Sequence, residues 1–293
     1  MAATKRFEDY SEQSTLRCER VLATVVRCIG APWRDRLCVV GGLVPRYLVP
    51  GAASSAATGH IGTTDIDVAL SLAVGGADAS AYATLEKNLK RAGLDRLESQ
   101  SWRWTVKVDG LPIVVELLGD DGAGEGGVLF RPKVKPPAGV GGLALLRVRG
   151  VELANADSIR VSREVRLVDG ALAVVEFKVA NICPYLALKA DVYLDRREPK
   201  DVYDLLYVVR RCSGGPAGAA ESVAASPIAS DPFVREALSR LDADFQSVNR
   251  AGPRDHAAFV AGAMSATASA GAREDALLTW RQFRERLRES DFM

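Results

Sequence analysis

The chain has 293 residues, 48% of them apolar and 26% charged, with 38 Lys plus Arg against 37 Asp plus Glu. That length supports one large or two modest domains with a real core, and the net charge of +1 gives no global mark of a nucleic-acid binder. No apolar run approaches the ~20 residues that span a bilayer, and the polar N-terminus MAATKRFEDYSEQ does not read as a secretory signal; the expectation is a cytoplasmic protein that does not enter a membrane. Five cysteines without a CxxC argue against a disulfide framework or zinc ribbon, and with His60 and His256 as the only histidines any metal should be a hard cation held by carboxylates.

In chain order, residues 11–29 have helical spacing, with Leu16, Val21, Val25 and Ile29 on or near one stripe. RLCVV (36–40) reads as a short buried strand ending at Gly41-Gly42, followed by a short helix from Leu43 to Val49 with Pro45 in its first turn. A small-residue loop, PGAASSAATGHIG, precedes a strand from Thr64 to Leu72, and residues 79–92 read as a helix stopped by Gly93. Trp102 to Val108 alternates with period two, Asp109-Gly110 is a hairpin turn, and Leu111 to Leu118 returns. Residues 119–127 are a flexible loop, and 128–178 should add strands interrupted by the basic loop RPKVKPP. From Ile182 the pattern is helical: 182–195 and 200–212, then a low-complexity and mobile segment 213–230, then helices near 231–246, 254–269 and 272–289. The fold class is therefore α/β (α+β), a mixed sheet with flanking helices over residues 1–180, followed by an α-helical domain over 181–293.

Asp65 and Asp67 form the sharpest constellation. Two apart in a strand, they share one face at about 6.6 Å by strand rise while Ile66 and Val68 point into the core. Two carboxylates so placed suit magnesium, and through it phosphoryl transfer; the plainer alternative is a solvated strand edge. Gly41-Gly42, between a strand and a helix start, suits close backbone approach of a triphosphate, or merely a tight turn. Glu116, flanked on its face by Val114 and Leu118, needs a partner, either a shared metal or a structural Arg or Lys; Asp120 is the reserve third carboxylate. Lys189 lies on an apolar helix, and Asp201 and Asp204 are neighbours on the next one, with Lys200 able to pair with Asp204 at i, i+4. These residues make either a salt-bridged helical hairpin or a phosphate-holding lysine fixed by an aspartate, and the two are compatible.

Gly-Gly, then a DxD strand, then a lysine followed by an R…KDxxD helix, in that order, resembles the nucleotidyltransferase superfamily of DNA polymerase β. Within it the chain looks like the AbiEii/AbiGii type of toxin, including the MenT toxins, over about residues 36–210. The resemblance implies a catalytic motif at Gly41, Gly42, Asp65 and Asp67, a nucleotide-holding Lys189, and a KDxxD end at Lys200, Asp201 and Asp204. It implies magnesium as cofactor, an NTP as substrate, transfer of a nucleoside monophosphate to the 3′ end of tRNA so that translation is blocked, and a cognate antitoxin protein as partner. Arg281, Arg284 and Arg288 share a face opposite the stripe Ala276, Trp280, Phe283 and Leu287, and with Arg131, Lys133 and Lys135 could neutralise RNA phosphates, or could be ordinary solvated surface. Two rival readings remain: nucleotidylation of a small molecule or protein, and a non-catalytic binding module on the same fold.

Overall fold

The computed structural model describes residues 7–30, 33–51, 59–71, 79–122, 124, 126–131, 143–261, 266–290 and 292. Residues 52–58 of the small-residue loop, Lys133 and Lys135 of the basic loop, and 262–265 of the expected helix 254–269 lie outside the described residues. The elements are α1 (Glu12–Ile29), β1 (Leu37–Val40), α2 (Pro45–Leu48), β2 (Asp65–Leu70), α3 (Ala79–Arg91), β3 (Asp95–Arg96), β4 (Arg103–Val108), β5 (Leu111–Gly119), β6 (Leu129–Phe130), β7 (Leu145–Arg147) and α4 (Leu153–Ala156). Then come β8 (Ser158–Arg166), β9 (Leu172–Ala180), α5 (Ile182–Arg196), α6 (Pro199–Arg211), α7 (Gly215–Ala224), α8 (Pro232–Asp242), α9 (Ala251–Ala261) and α10 (Ala266–Glu289).

The chain divides into two compact units. One comprises Glu12–Leu43 and Gly62–Ala180 and holds the sheet. Its strand order is β3-β4-β5-β2-β1-β9-β8, with β7 beside the end of β5 and β6 beside β7. The sheet is mixed: β1 runs antiparallel to β2 and parallel to β9, while β2 runs parallel to β5. The β4–β5 hairpin closes at Asp109 (φ 51°) and Gly110 (φ 78°), the two positive values of a type I′ turn. Trp104, Val106 and Val108 are buried on one side of β4 and Arg103, Thr105 and Lys107 lie on the other. Helix α1 packs against β2, β4, β5, β8 and β9. Its buried stripe runs through Cys18, Val21, Leu22, Val25 and Ile29, and Leu16, expected in the stripe, is exposed. The stripe is set by Cys18, whose thiol approaches the Thr63 carbonyl, and not by the larger leucine a half-turn earlier.

The second unit comprises Met1–Ser11, Val44–Ile61 and Asn181–Met293. A break falls between Ala180 and Asn181, but the helical unit also recruits two earlier segments, which a boundary at 180/181 alone does not express. The reason is aromatic and polar capture: Phe7 meets the rings of Tyr203 and Phe259, Tyr10 meets Phe259, and the Ile61 amide donates to the Tyr203 hydroxyl. Helix α5 starts at Asn181, whose side chain accepts from the Ile182 amide, and ends at Arg197 in the left-handed region. It packs on α6 and α8, α6 on α9, and α10 on α7 and α9.

The segment 213–230, expected to be mobile, is not so: it contains α7, with Ala219, Ala220 and Val223 fully buried. Low complexity there is alanine richness, which favours helix, and a proline stands in the first turn where it removes no needed donor. The small side chains let α7 lie close against α10 and α6. All five cysteines are free thiols. No helix among the described residues is long and apolar enough to cross a membrane.

Two glycines in helices make opposite forecasts. A Cβ on Gly218 of α7 would lie 2.0 Å from the Ser213 carbonyl oxygen, so Gly218→Ala should destabilise by about 1–3 kcal/mol. A Cβ on Gly271 of α10 meets nothing within 4 Å, so Gly271→Ala should stabilise by up to about 1 kcal/mol. Urea unfolding of the two variants beside the parent checks both signs.

Candidate active site

The glycine pair and the aspartates form one local structure in the sheet unit. β1 is buried throughout and aligns antiparallel with β2 so that Val40 faces Asp67. The next residue, Gly41, has φ +70°, and a Cβ there would lie 1.9 Å from the Asp67 carboxylate oxygen Oδ2. Glycine is thus required twice, by the left-handed backbone and by the carboxylate pressed against it. Gly42, buried, continues the turn. Asp65 and Asp67 are half-buried on one face of β2, while Ile66 and Val68 have no exposure on the other.

Asp65 is oriented by Thr63, which is not among the candidate residues named from the sequence. The Thr63 hydroxyl donates to Asp65 Oδ1 at 2.8 Å, and the buried Thr63 amide donates to the Thr15 hydroxyl of α1 at 3.1 Å. The signal was present as a threonine two residues before an aspartate, a spacing at which side chain and backbone hydrogen-bond locally. In the structure that local bond is tied into the core by Thr15.

Glu116 stands beside Asp67 in parallel register on β5. Its Oε1 lies 2.6 Å from Nη2 of Arg103, its cross-strand partner on β4. Arg103 is thus a structural cation of the kind expected as one of the two partners for this carboxylate. Asp120 accepts from the amides of Gly122 and Gly150, both at 2.9 Å, and so braces a turn. Among the described residues no group of three or more His, Cys, Asp or Glu is disposed to hold a metal ion. The donor set at β2 is therefore a pair of carboxylates, Asp65 and Asp67. That pair fits magnesium, which commonly takes one or two protein carboxylates and completes its shell with water and substrate phosphates.

Lys189, Asp201 and Asp204 come together in the helical unit. Lys189 Nζ lies 2.9 Å from Asp201 Oδ1 and 2.8 Å from Asp204 Oδ2, and both aspartates are essentially without exposure. Arg196 grips Asp201 with Nε at 2.7 Å and Nη2 at 2.8 Å. Lys200 Nζ lies 2.8 Å from each oxygen of Asp204. His60, which the sequence reading counted only as one of two histidines, bonds Asp204 Oδ1 through Nε2 at 2.8 Å. Its signal is weak, a lone histidine in a loop of small residues. The salt-bridged hairpin is thus present, and both aspartates share the lysine.

The charges follow this geometry. Burial opposes ionisation at Lys189, but the carboxylates of Asp201 and Asp204 overcome it and hold the ammonium well above its ordinary pKa. Burial likewise opposes ionisation of Asp201 and Asp204, yet Lys189 with Arg196 or Lys200 drives both below the usual carboxylate range. At His60 burial outweighs the pull of Asp204 and lowers the pKa, so the imidazole is neutral near pH 7. In α10, Ala276, Trp280, Phe283 and Leu287 are buried as the helical stripe requires. Of the facing arginines, Arg281 and Arg288 are exposed, whereas Arg284 is withdrawn to 2.9 Å from Asp242. No family model, no curated protein and no solved structure matches the chain.

The Gly41–Asp67 approach is testable by a double-mutant cycle. Gly41→Ala should destabilise by roughly 1–2 kcal/mol from the left-handed backbone alone, and more from the collision. In an Asp67→Ala background the cost should shrink, with a coupling of about 0.5–3 kcal/mol in denaturant unfolding; strict additivity would mean that the two residues do not touch.

The buried ion cluster predicts stability against pH. The depressed Asp201 and Asp204 contribute stability that is present above about pH 3.9 and is lost as pH falls through their folded values. Lys189, raised, contributes stability that is present below about pH 10.4 and is lost as pH rises through its folded value. His60, lowered, adds a component that is complete above about pH 6.5 and declines below it. The cluster's own contribution should therefore be level between about pH 6.5 and 10.4, while the overall unfolding free energy should begin to fall from about pH 8.5, because burial raises the Cys38 and Cys212 thiols to about 12 and 11. Lys189→Ala, which leaves two buried carboxylates short of a partner, should cost about 3–5 kcal/mol at pH 7.

Proposed function

We propose that the chain is a magnesium-dependent nucleotidyltransferase, transferring a nucleoside monophosphate from an NTP to an RNA acceptor, and that it serves as the toxin of a toxin–antitoxin pair. The observation that carries the reading is the fit of Gly41 to the Asp67 carboxylate, which makes the Gly-Gly turn and the DxD strand one constructed feature. A solvated strand edge needs no such fit. Asp65 and Asp67 would hold the cation, Thr63 fixing the Asp65 carboxylate and the glycine turn fixing that of Asp67. A bound magnesium ion would supply neutralisation of phosphate charge. The bare backbone at Gly41-Gly42 gives a triphosphate room to approach. For Lys189 a phosphate-holding role is supported by the resemblance, and its enforced positive charge is consistent with that role. The 3′ end of tRNA as acceptor and a cognate antitoxin as partner likewise rest on the resemblance.

One observation favours a second reading, a non-catalytic module: Glu116, the expected third carboxylate, is engaged by Arg103. Incubation with labelled NTPs, magnesium and total RNA separates these. Label in tRNA supports the enzyme, label in protein or small molecules supports a different acceptor, and none supports the module. Asp65→Ala and Asp67→Ala should each abolish incorporation while the fold survives. Transfer near the parental rate in either variant removes the DxD pair from the chemistry.

A further inference from the structure

The helical unit contains a cavity of about 290 Å³ that the reading above does not use. Its floor is one face of α6, where Tyr203, Tyr207, Arg210 and Arg211 fall at i, i+4, i+7 and i+8. Phe7 and, from α9, His256 stand around it.

Three observations define what would fit. First, the lining is rich in rings. Tyr203 lies near-parallel to His256, at 17° with centroids 6.2 Å apart, and Phe7 approaches Tyr203 edge-on at 6.2 Å. Tyr203 and Tyr207 are 8% and 9% exposed, so the cavity meets only part of each ring; a flat base can be laid against that part, as aromatic side chains commonly receive unpaired nucleobases. Second, the lining carries cations. Arg210 is held by Thr279 through Nε and Nη2 at 3.1 and 2.9 Å, with Asp275 3.6 Å from Nη1. Arg211 is exposed and has neither ion pair nor hydrogen bond among the described residues. A phosphate is the matching group. Third, His256 is 7% exposed, and its Nδ1 has no hydrogen-bond partner among the described residues. Burial, aided by Arg210, lowers its pKa to about 4, so at neutral pH it presents one donor and one acceptor nitrogen. The Nδ1 atom itself has essentially no accessible surface, so a base edge in the cavity would meet the ring at its other nitrogen, Nε2. The volume lies near the lower limit of the roughly 300–1,000 Å³ usual for ligand pockets, which suits one nucleotide unit.

The floor is also held rigid. His60 lies against Tyr203 at 25° and bonds Asp204, so the ion cluster of Lys189 fixes the rings from behind.

We infer that this cavity binds one nucleotide of a single-stranded RNA, its base against Tyr203 and Tyr207 with an edge at His256, and its phosphate at Arg210 and Arg211. The choice of RNA over a free nucleotide rests on the function proposed above; the nucleotide chemistry does not.

The test is equilibrium binding without transfer. The full chain carrying Asp65→Asn and Asp67→Asn is titrated, in EDTA, into a fluorescein-labelled single-stranded decaribonucleotide. The four nucleoside monophosphates and inorganic phosphate serve as competitors. Arg211→Glu should weaken binding roughly tenfold or more with unchanged thermal midpoint, because it reverses an exposed charge. His256→Phe should fold and weaken binding several-fold. Arg34→Glu, an exposed arginine of the sheet unit outside this cavity, should have little effect. Nucleoside monophosphates should compete far better than inorganic phosphate. Binding of the monophosphates without the oligonucleotide overturns RNA as the source and retains the nucleotide site. Equal competition by inorganic phosphate, unchanged affinity in both cavity variants, or no binding by any probe overturns the site. Because no step needs catalysis, binding that persists while transfer fails removes only the enzyme reading.

Discussion

Two aspartates without exposure remain charged inside a helical core only if their oxygens are met by donors, since an unpaired buried charge costs far more than most contacts return. Asp201 and Asp204 set that condition for the helical unit. Lys189 spans both, Arg196 closes on the first, and Lys200 and His60 close on the second. The α5–α6 hairpin must therefore turn so that Arg196 and Lys200 sit either side of Lys189, which the left-handed Arg197 permits. The requirement extends along the chain, because one of the donors is His60, more than a hundred residues earlier. That bond, with the Ile61 amide on the Tyr203 hydroxyl, draws the segment before β2 into the helical unit.

The sheet unit meets a smaller constraint of the same kind. Asp67 lies where β1 ends, and the chain leaves β1 through a residue with no Cβ to contest the carboxylate. Asp65 is held by a threonine that is itself held by α1, and Glu116 by an arginine across the hairpin. Each carboxylate on this part of the sheet thus has its own support, and no cluster of three forms among the described residues. Preorganised carboxylates of this sort suit a cation shared with a substrate better than one caged by protein alone.

Much of the fold could be read directly, for identifiable reasons. The β4–β5 hairpin follows from strict alternation and Asp-Gly, and α5 and α6 from helical period broken by Arg-Arg-Glu-Pro. The misread segment 213–230 shows where composition misleads: alanine, glycine and serine resemble a linker, yet alanine is the best helix former and its small side chain permits close packing. Asp65, Asp67 and Gly41 in the sheet unit, and the Lys189–Asp201–Asp204 group in the helical unit, are each recognisable by spacing. Thr63 has a local signal, two residues before Asp65, whereas Arg103 and His60 have none, because each acts through a partner on another element.

The sequence by itself determined the local facts: where most of the strands and helices lie, that Asp65 and Asp67 share a face, and that Lys200 reaches Asp204 one helical turn away. These depend on periods of 2 and 3.6 residues and need no knowledge of neighbours. Tertiary structure alone decided the partners. It gave Glu116 to Arg103, divided Lys189 between two aspartates, joined His60 to Asp204, and formed a ring-lined cleft over α6. Charge pairing is decided by which donors the fold brings within about 3 Å, and that distance carries no signature in residue spacing once the partners lie on different elements.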